Sequence, residues 1–434
     1  MLISRAFASS WPFDPLPECP HDRSPFKMLA IHAIFFVVSM FAIMFAIATS
    51  AVAQKEVVLA DFSNPEGGPG GGVILDAAGN LYGTTYYGGL YGGGTVFELL
   101  PTAGGGWEPE MLCSFDTRGP GGFSPAASLI FDAAGNLYGT ALSNYDGGGG
   151  GSVFRLSRQP DGDWTETLLH SFTAKQDGIQ PSSNVIFDKA GNLYGVTNYG
   201  GAHHYGIAYQ LAPQADGSWK ETILHSFGNS KYDGKTPYAS LTLDAAGHVY
   251  GSTLGGGTYG NGTVFELAQK NGGGWSYRLL YEFPDSSSDG GSPYGSLTFD
   301  AAGNLYGTAG FGGADNRGLV FKLSPEPGGS WTETVLYSFN DSTDGGFPVA
   351  GVIFDPAGNL YGTTNAHGPY NSGSVFELSP AADGSWMETL LSTFTGKTDG
   401  GRPDAGVVLS NAGNLFGTTE MRGTGYGTVF EIIR

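Results

Sequence analysis

Apolar residues in this chain come in short runs of roughly four to nine, rich in Val, Ile, Leu, Tyr and Phe, and each run is bounded by Gly, Pro, Asp or Asn. Runs of that length and composition predict strands, not helices. Around Asp188 four of them follow one another, at residues 184–187, 193–197, 206–211 and 219–227, here called strands A to D. The A–B link, 188–192, begins with an Asp that can accept backbone N–H bonds, and its Gly191 tolerates positive φ. The C–D link at 379–385 has the same chemistry and ends at a Trp. The expected unit is a four-stranded antiparallel meander.

That unit repeats. Asp-Ala-Ala-Gly-Asn-Leu-Tyr-Gly-Thr at Asp76 returns with small changes at Asp132, Asp188, Asp244, Asp300 and Asp355, and more weakly from Ser410. The step is 56 residues, then 55, and a constant period of this size predicts an array, a solenoid or a propeller. Strand C reads Gly-Thr-Val-Phe-Glu at Gly94, Gly262 and Gly427, and strand D reads Trp-x-Glu-Thr at Trp164, Trp331 and Trp386. Aromatics at matched positions of strands B (Tyr82 to Phe416) and C (Phe97 to Phe430) are expected to pack between neighbouring sheets. A carbohydrate platform is the sharper but weaker reading of the same rings.

Strand D occurs six times after a Trp, and the chain ends directly after the seventh strand C. Residues 56–62 match 166–172 position for position, so the missing strand stands at the N-terminal end. A ring gains from this phase shift because both chain ends then share one sheet and no edge is left open. The expected fold is all-β, a seven-bladed β-propeller over 54–434 closed by the N-terminal strand; a β-solenoid would need capping repeats that are not present.

Net charge is −20, and residues 1–53 contribute nothing to it. An acidic ring without Lys- or Arg-rich runs disfavours nucleic acid as a partner. Residues 28–50 are apolar, with Lys27 before and Ala51-Val52-Ala53 after, the layout of a secretory signal cleaved after Ala53. Met28 is then a candidate initiator. The expected location is secreted, periplasmic or at the cell surface, with an uncleaved membrane anchor as the alternative, since the run is long enough to span a bilayer. The chain after the leader retains only Cys113, in a slot that elsewhere holds His170, His225, Tyr281, Tyr337 and Ser392, which reads as packing.

The Asn-Leu-Tyr-Gly-Thr and Gly-Thr-Val-Phe-Glu blocks resemble the GloVer tandem-repeat proteins, bacterial secreted or surface proteins, over all seven units. No catalytic activity is established for that family, so the resemblance carries none over. The Asp-x-x-Gly-Asn-Leu-Tyr segment is also similar to a motif of NHL and gluconolactonase-like propellers.

Residues recurring seven times are expected to serve folding, so a site should lie where the repeats disagree, on the end of the ring that carries the B–C and D–A loops. Candidate ligand-binding residues are Tyr86, Tyr87, His203, His204, Tyr205, Asp315, Arg317, Tyr370 and Arg422. No catalytic motif is present, and no metal site is expected, because adjacent His203 and His204 would point apart on a strand. The Asp-Gly pairs at Asp177, Asp233, Asp289, Asp344 and Asp399 suggest turns; calcium is the alternative, without the usual loop spacing. The expected function is non-enzymatic binding of an extracellular glycan or protein by a monomer. The alternatives are a lyase, lactonase or glycosidase on the same scaffold, and a structural surface component.

Overall fold

The computed structural model describes residues 54–62, 67–119, 122–144, 149–173, 176–285, 288–340, 343–421 and 425–434. The leader and Arg422 lie outside them. All regular structure among the described residues is β, in seven antiparallel sheets. Blade 3 is typical, with strands Ile186–Phe187, Leu193–Thr197, Ile207–Pro213 and Trp219–Ser226 paired in sequence order. The sheets form a ring, a seven-bladed β-propeller; blades 1 to 7 begin at Ile74, Ile130, Ile186, Thr242, Thr298, Ile353 and Val408.

Closure occurs as the sequence phase predicts. Lys55–Asp61 pairs antiparallel with Thr428–Ile433, from Lys55 opposite Ile433 to Asp61 opposite Thr428, and completes blade 7. Strands B, C and D fall within a residue or two of expectation, but strand A is half its expected length. Of the residues expected to begin strand A, those just before Ile186 lie outside the strand ladder, and the neighbouring blade bonds them there. Thr140 of blade 2 donates its hydroxyl to Ser183 O at 3.0 Å, and the same stitch closes the ring where Thr418 donates to Gly71 O at 3.0 Å. Blade 4 departs from the others, since Gly234–Pro237 pairs with a longer strand B, Val249–Gly256.

The matched aromatics are core. Tyr82, Tyr138, Tyr194 and their equivalents are buried, as is the strand C series. Rings meet edge to face across blade boundaries: Tyr138 with Trp219 at 6.4 Å, and Phe416 with Trp107 at 6.0 Å where blade 7 meets blade 1. A carbohydrate platform is thereby excluded for these positions. The A–B hairpin works as read from sequence. Asp188 accepts the Ala190 and Asn192 amides at 2.9 Å on one oxygen, and Asn192 Nδ2 and the Tyr194 hydroxyl on the other.

Candidate functional site

Each blade enters strand A through a proline, and in blades 2 to 7 the residue before it is strained. Ser124, Gln180, Thr236, Ser292, Phe347 and Arg402 all have φ between 49° and 62°, a conformation that costs a non-Gly residue about 1 kcal/mol or more. Backbone bonds on both sides hold it. Gln180 donates to Gly150 O at 2.7 Å and accepts from Asn198 at 3.1 Å; Arg402 donates to Ser372 O and accepts from Glu420 in the same way. These elbows turn the next residue toward the ring axis. That residue is Gly70, Ala126, Ser182, Tyr238, Tyr294, Val349 or Asp404, a different side chain in almost every blade.

A cavity of about 610 Å³ occupies the axis at this end. Its waist is built from small residues, among them Gly71, Ala127, Ser183, Ala239, Gly295, Ala350 and Ala405. Its mouth carries Tyr86 and Tyr87 of blade 1, Gln180, Ser182 and Asn198 of blade 3, Tyr238 of blade 4, Tyr294 of blade 5, and Asp404 and Glu420 of blade 7. Tyr87 packs edge to face on Tyr86 and on Tyr426, and Tyr238 on Tyr294, which in turn meets Phe347.

The mouth is electrostatically one volume. Burial raises the Tyr238 hydroxyl pKa, and Asp404, Tyr294, Glu420 and Tyr86 raise it further, so groups from blades 1, 4, 5 and 7 act on one oxygen. The Asp404 side chain reaches solvent in the cavity, yet crowding by surrounding protein pushes its carboxyl up to about 6. Glu420 adds to the rise and Arg402 opposes it. Asn365 Nδ2 donates to Asp404 Oδ1. Among the described lining residues, Asp404 and Glu420 alone carry formal charge.

Of the predicted residues that are described, the structure brings only Tyr86 and Tyr87 to this cavity. His203 and His204 sit exposed in a turn, His204 with φ 67°, not on a strand as their geometry was argued. Tyr205 lies under Lys235, whose Nζ is 4.5 Å from the ring centroid. Asp315 and Tyr370 are exposed on loops farther out, and Arg317 Nη1 lies 3.4 Å from His367 Nε2 between blades 5 and 6. No three His, Cys, Asp or Glu groups among the described residues converge as metal ligands. The Asp-Gly carboxylates fold back on their own blades: Asp177 accepts Thr173 N at 2.9 Å, and Asp399 accepts Thr395 N at 2.8 Å.

Sequence reasoning missed Tyr238, Tyr294, Asp404 and Glu420. The signal was present in two columns where the repeats disagree most: the residue after the recurring proline and the residue four places after the strand B aromatic, which reads Tyr86, Leu142, Asn198, Leu254, Gly310, Asn365, Glu420.

Fold and cavity together define a seven-bladed β-propeller with an asymmetric acidic and aromatic pocket at one end of its axis. The chain belongs to the Gloeobacter/Verrucomicrobia repeat family, whose model matches residues 147–353 and 329–434. Among solved structures, an ancestral GH74 enzyme aligns at 14% identity over 87% of this chain and 48% of its own, with TM-score 0.53. PorZ, a surface component of the type-IX secretion system of Porphyromonas gingivalis, aligns at 14% identity over 83% and 46%, with TM-score 0.47. A hypothetical selenium-binding protein from Sulfolobus tokodaii aligns at 12% identity over 71% and 74%, with TM-score 0.46. The chain spans about half the length of the first two. At such identity the GH74 likeness shows the fold alone. Among proteins of curated function, none matches.

Proposed function

We propose that this propeller is a secreted binding protein whose B–C and D–A loop face takes an extracellular glycan, seated at the axial cavity, without covalent chemistry. The supporting observation is the one-sidedness of its exposed apolar surface. Among the described residues, five of the seventeen large exposed apolar side chains, Met111, Leu168, Ile223, Val335 and Met387, lie on outer strands D. The other twelve all lie on the B–C and D–A loops, and nine of those are tyrosines. Exposed tyrosines combine a flat apolar ring with a hydroxyl, which suits the apolar faces and hydroxyls of sugars. A cavity of this volume suits a mono- or disaccharide unit.

The test is a glycan array followed by thermal shift of the full chain, in which a ligand of the folded form raises the midpoint with concentration. Tyr87→Ala and Tyr238→Ala are expected to weaken binding about tenfold each at unchanged melting temperature, by loss of a buried aromatic contact. No glycan response, or one indifferent to both substitutions, rejects the reading.

A second reading rests on the carboxyl pair. One acid held near 6 beside a second carboxylate is the arrangement from which acid–base cleavage of a glycosidic bond is built. Release of new reducing ends from a bound oligosaccharide, abolished by Asp404→Asn, would establish it over simple binding.

A further inference from the structure

We infer that the axial cavity recognises a protonated amine, carried by an amino sugar, with Asp404 and Glu420 as its counter-charges and the surrounding tyrosine rings as its walls. This deepens the binding reading and rests on its placement of the site.

Charge is the first argument. The mouth holds two carboxylates and, among the described lining residues, no Lys, Arg or His. Two like charges in one crowded volume disfavour each other, and a ligand cation between them relieves both. Asp404 has Asn365 on one oxygen, and no hydrogen bond from a described residue reaches its Oδ2. Glu420 likewise has no hydrogen-bond or ion-pair partner for its carboxylate among the described residues. Arg402, two residues before Asp404, tempers its charge without lining the cavity.

The walls are the second. Tyr86, Tyr87, Tyr238 and Tyr294 line the same volume, and Tyr238 responds electrostatically to both acids. A cation near the face of a tyrosine is attracted by the ring quadrupole, and aromatic walls beside carboxylates are how proteins hold organic ammonium groups. The same loop face already seats an ammonium this way, Lys235 over Tyr205. A neutral sugar would gain hydrogen bonds from Ser182, Asn198 and Gln180 but would leave the paired carboxylates unneutralised.

Isothermal titration of the full chain at pH 7 separates the possibilities, with three probes: a fully deacetylated glucosamine tetramer, its N-acetylated counterpart, and spermidine. The expected result is binding of the deacetylated tetramer at least tenfold tighter than the acetylated one, with the preference lost in Asp404→Asn and Glu420→Gln. Thermal melts of both variants confirm that they remain folded. Equal affinity for the two tetramers overturns amine recognition and leaves the glycan reading standing. Binding of spermidine alone supports the amine site and rejects the sugar. No binding of any probe rejects both.

Discussion

At the residue scale, repeated glycines with positive φ include two kinds that the sequence does not distinguish. Gly191, in the A–B hairpin, has φ +84°, and a Cβ there would meet nothing within 4 Å. Gly206, at the start of strand C, has φ +93°, and a Cβ would lie 2.2 Å from Thr197 O and 2.8 Å from Pro237 Cδ of the next blade. The same seam closes the ring between Gly427 and Pro69. Gly191→Ala should therefore cost only the left-handed strain, about 1 kcal/mol, whereas Gly206→Ala adds a steric clash for a total of about 3 kcal/mol. Urea unfolding of the two variants checks this, and equal losses would refute the seam's role. Cys113 offers a second test. Burial first, and then the nearby Glu166, push its thiol up to about 12, so almost none is thiolate at neutral pH. Iodoacetamide at pH 8 should leave it unmodified in the folded chain and alkylate it in urea.

At the element scale, the strand 55–61 is the latch. Its Leu59 and Ala60, with Phe62 beyond it, pack in a cluster with Val73, Phe97, Phe416 and Val429, which belong to blades 1 and 7. Deleting residues 55–62 removes those contacts and exposes the Thr428–Ile433 edge. The expected result is a melting temperature lower by about 10 °C, from several kcal/mol of lost core at roughly 2 °C per kcal/mol, together with self-association through the open edge. A synthetic peptide of residues 54–62 should restore the monomer in size exclusion; failure of rescue would count against the latch. Strands B to D and the hairpins were legible in local chemistry, as short apolar runs, Asp- and Gly-containing turns and a Trp at the start of six strands D, and the latch in the match of residues 56–62 to 166–172. The front half of strand A was not, because Ser183 there is bonded by Thr140 of the preceding blade, and only Ile186–Phe187 pair with their own strand B. The pocket was only half legible for a similar reason. Tyr86 and Tyr87 stand in an obviously variable loop, but Asp404 and Tyr238 reach the axis only through a strained elbow that no propensity predicts.

At the scale of the whole molecule, the blade junctions make stability depend on pH. Glu56, Glu166, Glu221, Glu333 and Glu388 occupy one strand D position, each facing the preceding blade. Burial pushes every one of them up to about 7 from an ordinary 4.5. Their neighbours differ but the place is the same: the Tyr281 hydroxyl donates to Glu333 at 2.6 Å, Ser392 donates to Glu56, and His170 stands 3.9 Å from Glu221. A raised folded pKa means that the folded chain holds these protons more tightly. The stability they contribute is complete below about 4.5 and is lost as pH rises through about 7. His170, held low by burial, opposes this at one junction. The hairpin aspartates act in the other direction. Burial alone would raise Asp132, Asp188, Asp300 and Asp355, but hydrogen bonds from Asn, Tyr and backbone amides outweigh it and lower them below 3.8. Their contribution is present above that value and lost as pH falls below it. Melting temperature should therefore peak near pH 5, falling toward pH 8 and below pH 3. The net charge of −20 would also weaken the protein at high pH, by self-repulsion. Salt separates the two causes, since repulsion among exposed charges is screened at 0.5 M and desolvation of half-buried carboxyls is not. The expected outcome is a basic limb that persists in salt and flattens when Glu166, Glu221, Glu333 and Glu388 are replaced together by Gln, with the acid limb unchanged. A basic limb that vanishes in salt and survives the Gln replacements would assign the effect to surface charge and remove the junction carboxyls from the account.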